Sequence, residues 1–158
     1  MRERLGRESV GLRTPFGYYR GLRDRPDLLE IVRSAGLRYV TSWGRNERNE
    51  NPTPWEQPFR YDAEGFPDIL EIPFQFWLDV VWFDTHGYDS GPALLEALKG
   101  AVDEIADRDI VYGACFHDWV MLASRAEETD WLRGFLTYAR DRGVEIATYT
   151  DYWRRVSG

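Results

Sequence analysis

The sequence predicts an α/β fold with mostly parallel strands, and three observations carry that reading. Apolar runs of strand character alternate with helical patterns along the chain. Helices end at glycines and lead directly into the next apolar run, as at Gly36 and Gly143. One run, DIVYGACF from Asp109 to Phe116, is apolar enough to be a buried strand of a covered sheet.

The elements follow in order. Arg2 to Leu5 reads as the last turn of a helix, Gly6 as its cap, and Ser9 to Arg13 as a short strand. An opening inside a helix-to-strand unit argues that Met1 is not the natural start. Pro15 and Gly17 are expected to end that strand in a loop. Asp24-Arg-Pro-Asp then starts a helix with Pro26 in its first turn, and Leu28, Leu29, Ile31 and Val32 form its apolar face. Gly36 caps it, and Leu37 to Trp43 follows as a strand.

Gly44 to Pro67 is polar and aperiodic, with Pro52, Pro54, Pro58 and Pro67, and predicts a long loop. Its rings at Trp55, Phe59, Tyr61 and Phe66 favour an ordered one. Ile69 to Phe83 is apolar around Pro73 and predicts an extended segment or two short strands. The whole of 44–90 is thus an aromatic-rich insertion within a single domain spanning 1–158. Helices are predicted from about Pro92 to Arg108 and from Thr129 to Arg142. A strand at Val144 to Ala147 and a short helix at Asp151 to Arg155 close the chain.

The bulk composition bounds the function. With 43% hydrophobic and 30% charged residues, the 158-residue chain is globular and large enough for one core. Its net charge of -7, with 20 basic residues dispersed among 27 acids, excludes nucleic acid as the expected partner. No apolar run approaches the length of a membrane span, and the first residues lack the apolar core of a signal peptide. Cys115 is the single cysteine, so no internal disulfide forms. As written, the chain is expected to be cytoplasmic, a reading that depends on Met1.

In parallel α/β folds reactive side chains gather where strands end. Arg13 ends the first predicted strand, Ser42-Trp43 the second, and His117-Asp118-Trp119 the run DIVYGACF. A histidine leaving an apolar strand beside an acid is placed for proton transfer, because imidazole titrates near neutrality. The plainer reading is a histidine that caps the following helix. Arg13 has the fork to orient a carboxylate or to make a structural ion pair. Asp84, His86 and Asp89 form an alternative metal set on an extended chain, although Gly87, Asp89 and Gly91 also suit ordinary turns. Cys115 reads most simply as a small core residue.

Together these positions resemble a known family. Val10-Gly-Leu-Arg13-Thr-Pro15-Phe16-Gly17 is similar to the Arg-x-Pro-aromatic-Gly motif of the polysaccharide deacetylases, carbohydrate esterase family 4. Tyr39-Val-Thr-Ser-Trp43 stands where that family has a motif with a pocket-walling Trp, although Gly44, Arg45 and Asn46 replace the expected acids. Cys115-Phe116-His117-Asp118 resembles the motif that carries the general acid, and the ending from Arg142 through Asp151-Tyr-Trp matches the family's usual close.

The resemblance implies an incomplete distorted (β/α) barrel and hydrolysis of amide bonds, with N-deacetylation of a glycan as the reaction. Arg13 would orient a catalytic aspartate, the backbone N–H of Phe16 beside Pro15 would hold the oxyanion, and His117 would protonate the leaving amine. Trp43, Trp77, Trp82 and Trp119, with Trp55, would wall a site for an N-acetylated sugar. The family's Thr-Phe-Asp-Asp and His-Ser/Thr-x-x-His motifs are absent, and His86 and His117 are the only two histidines. The zinc-type divalent metal of the complete enzyme is therefore not expected on this chain alone. Activity is expected to need a complementary N-terminal chain, and open strand edges are expected to favour self-association. A non-catalytic carbohydrate-binding protein on a decayed barrel is the alternative.

Overall fold

The computed structural model describes residues 9–123 and 130–158, together with Gly6. The helical turn expected at Arg2 to Leu5 lies outside them. Four strands form one open sheet in the order β1–β2–β4–β3: β1 is Gly11–Tyr18, β2 Tyr39–Trp43, β3 Phe59–Tyr61 and β4 Phe66–Glu71. β1 and β4 both run parallel to β2, and β3 is antiparallel to β4. The helices are α1 (Pro26–Ser34), α2 (Asp79–His86), α3 (Gly91–Arg108), α4 (Asp118–Ala123), α5 (Asp130–Asp141) and α6 (Tyr149–Ser157).

Side chains alternate across β2 and β4, so each strand feeds two packed layers. Val40 and Ile69 point to one face and pack with Leu29 and Val32 of α1. Tyr39, Leu70 and Ile72 point to the other, where Tyr152 and Trp153 of α6 cover them. The Tyr39 hydroxyl lies 2.8 Å from Thr150 Oγ1, tying α6 to that face. A third cluster joins Leu94, Leu98 and Val102 of α3 to Trp131 and Phe135 of α5, with Trp82 and Phe83 of α2.

Five expectations change. The loop at 44–67 and the segment at 69–83 contain the β3–β4 hairpin and α2. The hairpin turns at Gly65, whose φ of 86° suits glycine alone, and Gly65 N–H donates to Asp62 O at 3.1 Å. Leu78-Asp79 interrupts the apolar run and opens a helix there, which the extended reading of Ile69–Phe83 missed.

Among the described residues the stretch from Asp109 to Phe116 joins no ladder, and side-chain amides stand in for a neighbouring strand. Gln57 Oε1 accepts from Val111 N–H (2.9 Å) and Gln75 Oε1 from Gly113 N–H (2.8 Å), while Gln75 N–H donates to Gly113 O at 2.9 Å. A side chain at position 113 would meet the Pro73 carbonyl, so only glycine permits this approach. Val144 to Ala147 also forms no ladder among the described residues.

β1 runs past Pro15 and Gly17 to Tyr18, with its register broken between Arg13 and Tyr18. Phe16 and Gly17 take φ of 65° and 69° at that irregularity. The proline and glycine bend the strand without ending it.

Candidate functional site

Asp79 sits in the first turn of α2 and is fully buried. Its Oδ1 accepts the His117 Nδ1–H at 2.6 Å, and its Oδ2 accepts the His117 backbone N–H at the same distance. Oδ1 also accepts from Val80 N–H at 2.8 Å. A carboxylate on Nδ1 fixes the ring and the tautomer, leaving Nε2 as the nitrogen that can address a ligand. The His117 side chain keeps 34% of its surface exposed. An anchored, solvent-reaching imidazole can shuttle a proton.

Trp119 is the second residue of α4, half-exposed, with its ring 5.8 Å from that of His117. Of the predicted walls it alone is both open and beside the histidine. Trp43 and Trp82 are 5% and 8% exposed and belong to the core. Tyr19 and Phe59 pack edge-on against Trp43, and Trp77 packs edge-on against Trp82. Trp55 stacks on Phe76 at 5.5 Å.

Arg13 lies on the sheet face covered by α6. Its guanidinium carbon lies over two rings, 4.5 Å from the centre of Phe74 and 4.9 Å from that of Tyr149. Burial works against the charge, but the neighbouring Tyr149 and Cys115 more than offset it and raise the pKa. Cys115 is thus a half-buried polar neighbour of Arg13, which corrects its reading as a plain core residue. Burial pushes its thiol up while Arg13 pulls it back. Asp79 also raises the pKa of the same thiol, by its charge and less strongly than burial does. Tyr149 opens α6 and donates to Ala114 O at 2.9 Å, pinning that helix to the stretch that carries His117.

Pro15 and Phe16 are exposed on β1, Phe16 at 84%. The Phe16 carbonyl accepts from Arg45 Nε at 2.8 Å. A cavity of about 580 Å³ lies behind the His117 stretch, lined by Val102, Ile105, Tyr112, Phe135, Tyr149 and Tyr152. Neither Arg13 nor His117 lines it.

Asp84, His86 and Asp89 do not form a metal set. α2 carries the first two, and residues two apart on a helix point about 200° away from each other. The His86 ring instead stacks on Trp82 at 4.2 Å, and its Nδ1 lies 3.0 Å from the Trp82 carbonyl. Among the described residues no three His, Cys, Asp or Glu side chains lie together as metal ligands. The described donors therefore do not fit the divalent metal that the resemblance implies.

Sequence reasoning missed Asp79. Its signal was an acid inside the apolar run Phe76-Trp-Leu-Asp79-Val-Val, where a buried charge needs a partner. Comparison with family models, with curated proteins and with solved structures gives no match.

Proposed function

We propose that the chain is the acid end of a deacetylase-type hydrolase that cleaves the N-acyl amide of a glycan. The observation that carries this reading is the Asp79–His117 pair: a buried carboxylate holds an imidazole at the solvent boundary, beside the half-exposed Trp119. Asp79 then takes the place of the acids that the sequence lacks around Trp43. The motif resemblance supplies the reaction class and the incomplete distorted (β/α) barrel, to which β1, β2, β4 and the His117 stretch would contribute.

In that reaction His117 acts from its imidazolium form, stabilised by Asp79, and donates its Nε2 proton to the leaving amine as the C–N bond breaks, returning to the neutral imidazole. The backbone N–H of Phe16 offers a hydrogen bond to the developing oxyanion. Trp119, with Phe16, gives apolar faces for sugar rings. Water activation falls to residues outside the described ones, supplied by a complementary polypeptide.

Co-expression with a polypeptide that carries the Thr-Phe-Asp-Asp and His-Ser/Thr-x-x-His motifs tests this. Acetate release from an acetylated glycan is expected only with the complement, and it falls by about 100-fold or more in H117A, the range for removing a general acid. Equal release by H117A overturns the reading. The second reading is carbohydrate binding without turnover, with the half-exposed Trp119 as the face for a sugar ring. It predicts glycan affinity that survives H117A and falls in Trp119→Ala.

A further inference from the structure

We propose that the cavity behind the His117 stretch is a binding site for an uncharged, largely apolar small molecule that carries a hydrogen-bond acceptor. Its volume of about 580 Å³ falls in the range of about 300 to 1,000 Å³ that holds such ligands. Helices α3 and α5 contribute Val102, Ile105 and Phe135 to its lining. The two extended stretches that begin at Asp109 and Val144, neither of which joins a ladder, supply much of the remainder. An apolar lining of this extent favours an apolar guest, which leaves water and gains close contacts along the walls.

The polar groups of the lining select the guest further. Tyr112 lines the cavity, and its hydroxyl is enclosed with no hydrogen-bond partner among the described residues. Burial raises its pKa far above the usual phenol value, so the group stays an O–H donor. Two other lining hydroxyls are already used: Tyr149 donates to Ala114 O at 2.9 Å and Thr148 to Asp151 Oδ2 at 2.7 Å. An enclosed donor left unmet costs stability, and a ligand carbonyl oxygen would meet it.

The charges disfavour an acid. Those on the lining are Asp109, Glu145 and Arg155, and Arg155 is bound to Glu145 through two contacts of 2.6 Å. No cation among them is free to hold a carboxylate, and the excess negative charge repels one. A cationic guest would leave the Tyr112 donor unmet. Neither Arg13 nor His117 lines the cavity, so the site is separate from the proposed hydrolytic one and its binding is measured without turnover.

The experiment titrates the chain with the neutral fluorophore N-phenylnaphthylamine, then displaces it with methyl heptyl ketone or with nonanoate. A saturable rise in fluorescence is expected, reversed by the ketone at lower concentration than by the acid. Y112F, which removes only the hydroxyl, should weaken the ketone about tenfold while leaving the fluorophore, which has no oxygen, unchanged. Ala139→Phe places a ring in the lining and should abolish the rise. No saturable rise, an undiminished rise in Ala139→Phe, or equal ketone affinity in Y112F overturns the proposal. Nonanoate binding as tightly as the ketone overturns it as well. Should Ala139→Phe fail to fold by circular dichroism, the Y112F comparison decides in its place.

Discussion

Glu71 and Asp79 are both fully buried, yet Glu71 accepts only from groups that are themselves buried, whereas Asp79 accepts from an imidazole that reaches solvent. Glu71 Oε1 takes the backbone N–H groups of Ser42 (2.7 Å) and Trp43 (2.9 Å), and Oε2 takes the hydroxyls of Ser42 and Tyr61. Tyr61 OH in turn accepts from Leu22 N–H at 2.9 Å. That network closes on itself and clamps the end of β2, the strand β3 and the loop after β1. Asp79 clamps α2 to His117 and leaves the chain of hydrogen bonds open at Nε2. A closed carboxylate builds architecture; an open one offers chemistry.

The largest way to break this comparison is Glu71→Ala. It strands two backbone N–H groups and two hydroxyls, each costing about 1 to 3 kcal/mol when left unmet. A loss of about 3 to 5 kcal/mol is expected in urea unfolding, a large share of a domain's total stability. Glu71→Gln keeps the shape and one acceptor and should recover more than half of that. Equal losses in the two variants would show that the network matters for its charge and not for its satisfied donors.

pH sharpens the same point. Burial raises the Glu71 pKa above the usual carboxylate value, with Ser42 and Tyr61 restraining the rise. The native state therefore binds that proton more tightly than the unfolded chain does. Its stability contribution is complete below the unfolded value of about 4.3 and is lost as pH climbs toward the folded one. The urea midpoint of Glu71→Gln should lack that decline, and a parallel pH profile in both proteins would contradict it.

Asp79→Asn comes next. It retains a neutral acceptor for His117 but removes the charge that assists the bond, so about 1 to 2 kcal/mol of stability is expected to go. In the complemented protein, acetate release should fall at least about tenfold, because the imidazolium loses its stabilising partner. Glu71→Gln should lower stability while leaving turnover at saturating substrate nearly unchanged. A turnover loss in Glu71→Gln as deep as in Asp79→Asn would erase the distinction between the two carboxylates.

How much of this the sequence carried differs between the halves. α1, β2, α3 and α5 were legible because their apolar spacing is local and their ends are marked by proline or glycine, as at Pro26 and Gly36. The β3–β4 hairpin was hidden in a proline-rich stretch whose three-residue strand is too short for any period. The Asp109–Phe116 run has strand composition, yet its partners are Gln57 and Gln75, side chains that no local pattern announces. His117 and Arg13 stood out from their positions at the ends of predicted strands, although β1 runs on to Tyr18 and the run before His117 joins no sheet among the described residues. Asp79 did not, since a lone acid in an apolar run gives no sign of meeting a histidine 38 residues later. Trp43 and Trp82 read equally well as pocket walls or core, and only packing against Tyr19, Phe59 and Trp77 decides for the core.

The smallest expected effect comes from the pair with the most favourable geometry. Glu145 and Arg155 meet through two contacts of 2.6 Å each, tying α6 to the unpaired stretch before it. Arg155 holds the Glu145 pKa below the usual carboxylate value, so the pair's contribution is present above that value and lost as pH falls through the folded one. Both side chains are exposed, however, at 66% and 51%. Water competes for each bond, salt screens the attraction, and two long side chains give up rotamer freedom to meet. Glu145→Gln is therefore expected to leave the urea midpoint at neutral pH unchanged within error in physiological salt, with any shift confined to low ionic strength. Asp79 makes contacts of the same length from a site without solvent, so the two substitutions differ in burial far more than in geometry. If Glu145→Gln cost as much as Asp79→Asn, distance alone would govern these carboxylates, and the contrast between closed and open burial would lose its physical basis.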